Sequence, residues 1–140
     1  MKEVFAVKFK SRLFLALGGL LLAAAPAGAH HSFMAEFDQR QPVTLQGTVT
    51  GVEWQNPHTY FSLDVKDNNG KVVNWRLETG SPNALLRRDW TRETMKVGDH
   101  ITVHAYRSKD TPNTAAARSV TMADGRTLFG GQTDDNGPAK

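Results

Sequence analysis

The chain has 140 residues, which suffices for one domain and excludes a large multidomain enzyme. It contains no cysteine, so disulfides, thiol catalysis and cysteine-ligated metal sites are excluded. Its 17 Lys and Arg residues outnumber its 14 Asp and Glu residues, and its pI is about 9.4. A basic pI is one sign of nucleic-acid binding. Whether it indicates such binding here depends on which part of the chain carries the excess positive charge.

The first 29 residues have the three-part pattern of a secretory signal peptide. Four basic residues come first, residues 13–25 form an uncharged apolar run, and small residues up to Ala29 offer cleavage sites. The apolar run is shorter than the roughly 20 residues that a membrane-spanning helix needs. We therefore expect a periplasmic protein that does not span the membrane, with cleavage after Ala27 or Ala29.

Removal of this segment also removes the excess positive charge. Residues 1–29 hold four basic residues and one acidic residue, which leaves 13 of the 17 basic and 13 of the 14 acidic residues. The formal net charge of the mature chain is therefore zero. The electrostatic case for a nucleic-acid partner disappears with the signal peptide, and we expect no such partner.

The mature chain divides into three parts. Residues 30–41 are predicted to form an N-terminal arm, residues 42–130 one β domain and residues 131–140 a disordered tail. Five segments of the domain alternate apolar and polar residues, which is typical of half-buried strands. Gly47 and the shift of the apolar phase at Thr50-Gly51 predict a bulge or a bend in the first strand, and residues 67–70 (DNNG) predict a hairpin turn. Ser81 and Pro82 have the residue types that begin a helix, the only one predicted.

The order of these elements predicts the fold class. Five strands with one short helix between the third and the fourth indicate an all-β, OB-like Greek-key barrel. A small open sandwich is the alternative that the same strands allow. We expect the domain to be a monomer.

Short motifs along nearly the whole mature chain carry a resemblance to a known family. They include HHSF at 30–33, NPH at 56–58, GSPNAL at 80–85 and KVGD at 96–99. Together they resemble a family of small exported bacterial proteins of unknown function. The resemblance implies a periplasmic, single-domain, OB-like protein, and it supplies no activity, substrate or catalytic residue.

Two adjacent histidines, His30 and His31, follow the predicted cleavage site. After cleavage at Ala29, the free α-amine and the His30 imidazole can chelate one ion, and His31 adds a second imidazole. After cleavage at Ala27, the amine, two amide nitrogens and the third-position His30 can form a square-planar site. Such nitrogen ligands suit Cu(II) first, and also nickel and zinc. The alternative is that the pair is simply flexible and solvated.

His58 is the third candidate metal ligand. It lies in the loop between the first two strands, where OB-folds often place ligand contacts. Trp54, Asn56 and Tyr60 are expected to line this loop as ligand-binding residues. The alternative is structural, with His58 at the start of the second strand and Trp54 in the core. His100 and His104 are expected to be solvated.

Catalysis is not expected. The sequence contains no G-x-S-x-G, no H-E-x-x-H and no phosphate-binding glycine loop. Glu53, Asp64 and Glu78 lie on predicted strands and could pair as acid and base, but nothing in their spacing favours that over a solvated sheet face. Arg87 and Arg88 of the helix, and Arg107 and Lys109 of a loop, form small basic clusters near Tyr106. They are either solvated or attract an acidic glycan, a lipid headgroup or an acidic partner.

The sequence therefore predicts a periplasmic binding module without a catalytic role. It takes a divalent metal ion, copper first, through His30 and His31, with His58 as the third ligand. The alternative is a metal-free module that binds a small ligand or a protein partner at the same loop.

Overall fold

The computed structural model describes residues 33–131, and β-strands dominate this range, as predicted. Residues 33–36 are helical. The predicted signal peptide, His30, His31 and residues 132–140 of the predicted tail lie outside the described residues. The strands are β1 (Phe37–Glu53), β2 (Tyr60–Lys66), β3 (Val72–Glu78), β4 (His100–Ser108), β5 (Thr114–Thr121) and β6 (Thr127–Phe129), and the helix α1 is Pro82–Leu86.

Five of the strands pair with one another around a ring. β1 pairs antiparallel with β2 and with β4, β2 pairs with β3, and β4 pairs with β5. The ring closes because residues 76–78 of β3 pair in parallel with residues 114–116 of β5. The helix α1 lies in the connection between β3 and β4, where the sequence predicts it. Ser81 is its N-cap and accepts a hydrogen bond from the backbone N–H of Ala84.

The described range has six strands, not the five that the sequence predicts. β6 has three residues and pairs antiparallel with β5, with Ser119 opposite Phe129. The sequence shows the turn before it, but alternation becomes recognisable only in runs of about four to eight residues. A three-residue strand therefore carries no pattern of its own.

The first strand begins earlier than the sequence predicts. β1 starts at Phe37, so residues 37–41 of the predicted arm belong to this strand. Residues 38–41 are all polar, and the register with β4 shifts between Phe37 and Pro42. Because the pairing is irregular and the side chains do not alternate, these residues have no strand pattern.

The interior of the ring holds the apolar phase of each strand, as the alternation predicts. Val49, Leu63, Leu77 and Val103 are buried at 1% exposure or less. Leu85 of α1 and Trp90 join the same core. The other buried members are Leu45, Phe61, Trp75, Met95, Ile101, Ala105, Ala115, Ala117, Val120 and Met122.

The first strand bends where two glycines interrupt it. The register between β1 and β2 shifts between Val49 and Gly51, which confirms the predicted bulge. At Gly47, a Cβ atom would collide with the carbonyl oxygen of Asp64. Only glycine lets the two backbones come this close, so Gly47 fixes how β1 crosses β2.

The turn between β2 and β3 fixes their register. The Asp67 carboxylate accepts hydrogen bonds from the N–H groups of Asn69 at 2.8 Å and Lys71 at 2.9 Å. Gly70 has a φ of 79°, a value that favours glycine. Paired from this turn, the two strands place Tyr60 directly opposite Glu78.

Candidate functional site

His58 is held at the start of β2 by the backbone that follows it. The peptide bond between Asn56 and Pro57 is cis, and His58 comes directly after it. The N–H of Thr59 donates to the carbonyl of Gly80 at 3.0 Å. The N–H and the hydroxyl of Thr79 both donate to the carbonyl of Thr59, each at 2.8 Å. These bonds fix the loop containing His58 beside the end of β3.

The imidazole of His58 pairs with the carboxylate of Glu78. The Nδ1 atom of His58 lies 2.5 Å from Oε1 of Glu78. The His58 side chain is 36% exposed and the Glu78 side chain 9% exposed. When the imidazole is neutral, a carboxylate at this distance selects the tautomer in which Nδ1 carries the hydrogen and donates a hydrogen bond to Oε1. The lone pair of this tautomer is on Nε2.

Tyr60 is the second aromatic partner in the cluster. Its ring centroid lies 6.4 Å from that of His58, with 60° between the ring planes. Burial raises the pKa of the Tyr60 phenol above its usual 10.0, and the negative charge of Glu78 raises it further. The nearby Arg76 acts in the opposite direction and more weakly. The site therefore favours a neutral phenol beside the carboxylate.

Arg76 links this group to a second carboxylate. Its guanidinium lies over the Tyr60 ring, 4.2 Å from the centroid. It donates to both carboxylate oxygens of Glu53, at 2.5 and 3.2 Å. These hydrogen bonds lower the pKa of Glu53 and raise that of Arg76. We call the connected side chains of Glu53, Arg76, Tyr60, Glu78 and His58 the His58 cluster.

The cluster contains two of the four loop residues that the sequence singled out. His58 and Tyr60 lie together, whereas the ring pairs found among residues 33–131 include none between Trp54 and His58. Trp54 is half-buried and packs against the core, and the guanidinium of Arg92 lies 5.8 Å from its ring centroid. Asn56 is exposed. Trp54 therefore lies closer to the core position of the structural alternative than to a position lining the His58 loop.

Glu78 is the residue that sequence reasoning missed. We expected it, with Glu53 and Asp64, on a solvated sheet face, but it is only 7% exposed. The hairpin register was the sequence signal that could have identified Glu78. When β2 and β3 are paired residue by residue away from the turn at 67–70, Glu78 falls opposite Tyr60. Asp64 has a structural role, accepting a hydrogen bond from the side-chain amide of Asn74 at 2.7 Å.

The other two described histidines are exposed, as predicted. The Nδ1 atom of His100 lies 3.1 Å from the Thr48 hydroxyl, and that of His104 lies 3.0 Å from the Thr44 hydroxyl. No three His, Asp or Glu residues in the range 33–131 come together in an arrangement that could hold a metal ion.

The helices of the described range include none that is long and apolar enough to cross a membrane. No curated protein matches the chain. A crystal structure of Rim1, the mitochondrial single-stranded DNA-binding protein of S. cerevisiae, is similar with a TM-score of 0.46 and 9% identity. That similarity covers 62% of this chain and 94% of Rim1. It is too low to support a conclusion about nucleic-acid binding in either direction.

The comparison with protein families gives a clearer result. The sequence model of the Family of unknown function (DUF6152) matches residues 18–117. The match covers more than half of the chain, and it agrees with the resemblance to a family of unknown function seen in the sequence motifs. The chain belongs to the DUF6152 family of unknown function.

Proposed function

We propose that this chain is an exported, OB-like barrel that binds a divalent metal ion, copper first, and has no catalytic role. His58 is the ligand that the folded domain contributes. The observation that carries the proposal is the pairing of His58 Nδ1 with the buried carboxylate of Glu78. The ring of five strands with α1 between β3 and β4 supports the barrel, and the pattern of residues 1–29 supports export.

The Glu78 pairing resembles the outer shell of known metal sites. A metal-ligating histidine almost always donates its second ring N–H to a carboxylate, a carbonyl or water. Such a partner fixes the tautomer and raises the basicity of the other nitrogen. In this chain Glu78 is the partner and Nε2 of His58 is the free ligand atom. The partial exposure of His58 leaves room for an ion to approach.

The remaining ligands in this proposal are His30 and His31. The described residues contain no group of three His, Asp or Glu side chains that could hold a metal ion. The proposed metal site therefore combines His58 with ligands from elsewhere in the chain. After export, His30 and His31 supply two imidazoles, and cleavage next to them adds the α-amine. A set of imidazole and amine nitrogens favours Cu(II) over the harder divalent ions.

Calorimetric titration of the exported chain with Cu(II) tests the proposal. His58→Ala is expected to weaken Cu(II) binding by about tenfold or more, because an inner ligand is lost. His104→Ala is the matched control, since His104 is also on the domain surface with its Nδ1 hydrogen-bonded, and it should bind like the wild type. The proposal is wrong if His58→Ala and the wild type bind copper equally tightly.

A second titration tests the terminal ligands. The double variant His30→Ala/His31→Ala is expected to lose tight Cu(II) binding altogether. The mass of the exported chain, measured beforehand, establishes whether Gly28 or His30 is its first residue. If the double variant retains wild-type affinity, the terminal histidines are not ligands.

A further inference from the structure

A second group of exposed side chains, which shares no residue with the His58 cluster, begins at Leu86, the last residue of α1. Leu86 is 53% exposed, and Arg87, Arg88 and Arg92 are exposed beside it in the sequence. Two of these arginines lie over aromatic rings from other parts of the fold. We call Leu86, the three arginines and the two rings, Trp54 and Phe129, the arginine patch.

The positions of the two guanidinium groups are well defined. Arg88 lies 4.2 Å from the ring centroid of Phe129 in β6, and Arg92 lies 5.8 Å from that of Trp54. Between them in sequence, Trp90 is buried and its indole N–H donates to the carbonyl of Phe129 at 2.9 Å. The segment is therefore anchored to the core, and the cation–π contacts position both arginines at the surface.

Five arginines of the described range are in no ion pair with a carboxylate, and three of the five, Arg87, Arg88 and Arg92, lie within six residues of one another. The segment 86–93 has three arginines and two acidic residues, Asp89 and Glu93, so it keeps a net positive charge. Other arginines of the described range do pair with a carboxylate, namely Arg40, Arg76 and Arg126.

We propose that the arginine patch docks the protein on an anionic phospholipid bilayer. Guanidinium groups bind phosphate oxygens through paired hydrogen bonds, and three of them are available on this surface. Leu86 projects an apolar side chain next to them, and Trp54 presents a half-buried ring, as in peripheral proteins that bind the membrane interface. A soluble phosphate would give no use to the exposed Leu86, which is why a bilayer fits better than a free anion.

The net charge of the mature chain is zero, so the attraction depends on where the charges are and not on their total. Each basic residue near an anionic membrane surface raises the binding affinity for that membrane by about fivefold. Removing all three arginines should therefore weaken binding by about a hundredfold. The attraction should decrease steeply as salt is added.

Vesicle co-sedimentation of the exported chain tests this proposal. The probes are vesicles of phosphatidylglycerol mixed with phosphatidylcholine, and vesicles of phosphatidylcholine alone. The test variant is Arg87→Gln/Arg88→Gln/Arg92→Gln. The control is Lys66→Gln/Lys71→Gln/Lys96→Gln, which removes the same charge from exposed residues elsewhere. Thermal unfolding of both variants establishes that they are folded before binding is compared.

The proposal predicts binding to the anionic vesicles only, lost in the arginine variant and kept in the lysine variant. Leu86→Ser should weaken binding without changing its salt dependence. Equal loss in the two triple variants, or no binding of the wild type, would overturn the proposal. So would inhibition by inorganic phosphate beyond that of sodium chloride at matched ionic strength, since it would identify a site for free phosphate. Vesicle binding is measured without added metal, so the outcome tests the membrane proposal independently of the copper proposal.

Discussion

His58 and Glu78 form an imidazole–carboxylate pair, with 2.5 Å between Nδ1 and Oε1, at the edge where β2 begins and β3 ends. The carboxylate is buried and the imidazole is partly exposed. A buried carboxylate is costly unless hydrogen bonds and opposite charges compensate its desolvation. The contact with His58 supplies part of this compensation, at a position directly opposite Tyr60.

The pair should be detectable as a coupling energy. His58→Ala removes one donor from the buried Glu78 carboxylate, and we expect it to lower the free energy of unfolding by about 1–3 kcal/mol. Glu78→Gln should have an effect of similar size. If the contact is direct, the double variant will cost less than the sum of the single variants, as measured by urea denaturation. Additive effects would mean that the two side chains do not interact.

Tyr60 should titrate at an unusually high pH. The chain has two tyrosines, so in the Tyr106→Phe variant Tyr60 is the only residue that can give a tyrosinate absorbance signal. Because burial and the charge of Glu78 raise its pKa, tyrosinate should form above pH 10.0. The contribution of Tyr60 to stability is complete below the unfolded pKa and is lost as the pH rises through the folded one.

Glu78→Gln provides the control for this titration. It removes a negative charge beside the phenol, so the pKa of Tyr60 should fall but stay above its usual value because of burial. A Tyr60 titration that is ordinary in the wild type would contradict the described position of the ring.

The ion pair between Glu53 and Arg76 should matter little for stability. The two side chains are 46% and 43% exposed, and exposed pairs usually contribute less than about 1 kcal/mol. The pairing lowers the pKa of Glu53, so its contribution is present above the unfolded value of 4.5 and is lost as the pH falls. Denaturation of Glu53→Gln at neutral and acidic pH, with and without added salt, measures this contribution. A loss well above 1 kcal/mol at neutral pH would count against this estimate.

Two glycines of β1 should respond very differently to alanine. Gly47→Ala places a methyl group against the carbonyl of Asp64, and we expect a loss of about 1–3 kcal/mol or failure to fold. Gly51→Ala meets only the side chain of Ser62, at 3.9 Å, and should be tolerated. Thermal unfolding of the two variants compares them directly. Equal stability would mean that the two strands are not as close as described.

Much of the fold follows from local patterns in the sequence. Strict alternation placed Leu63, Leu77 and Val103 inside, and Ser81-Pro82 marked the start of α1. The bulge at Gly51 also followed, because an apolar phase that shifts by one residue requires an extra residue in the strand. The start of β1 at Phe37 and the short β6 did not, because residues without alternation depend on tertiary pairing.

The site was predicted less completely than the fold. His58 was found because an isolated histidine beside Asn-Pro stands out in a loop. Its partner Glu78 lies 20 residues later, on a strand where the sequence pattern indicates solvent. Only the register of β2 and β3 brings them together, and burial at the end of β3 comes from the closure of the ring at residues 76–78. The hairpin turn at residues 67–70 gives that register, but the alternation within a single strand does not encode the parallel pairing of β3 with β5.

The central claim is that Nε2 of His58 binds a divalent metal ion. The most direct test is proton NMR of the exported chain during addition of substoichiometric Cu(II), which broadens the signals of imidazoles close to the ion. The chain has five histidines, and their ring signals can be assigned with single variants. We predict that His58 broadens first, together with His30 and His31, while His100 and His104 stay sharp. Broadening of His100 and His104 before His58, or no change at His58, would contradict the claim.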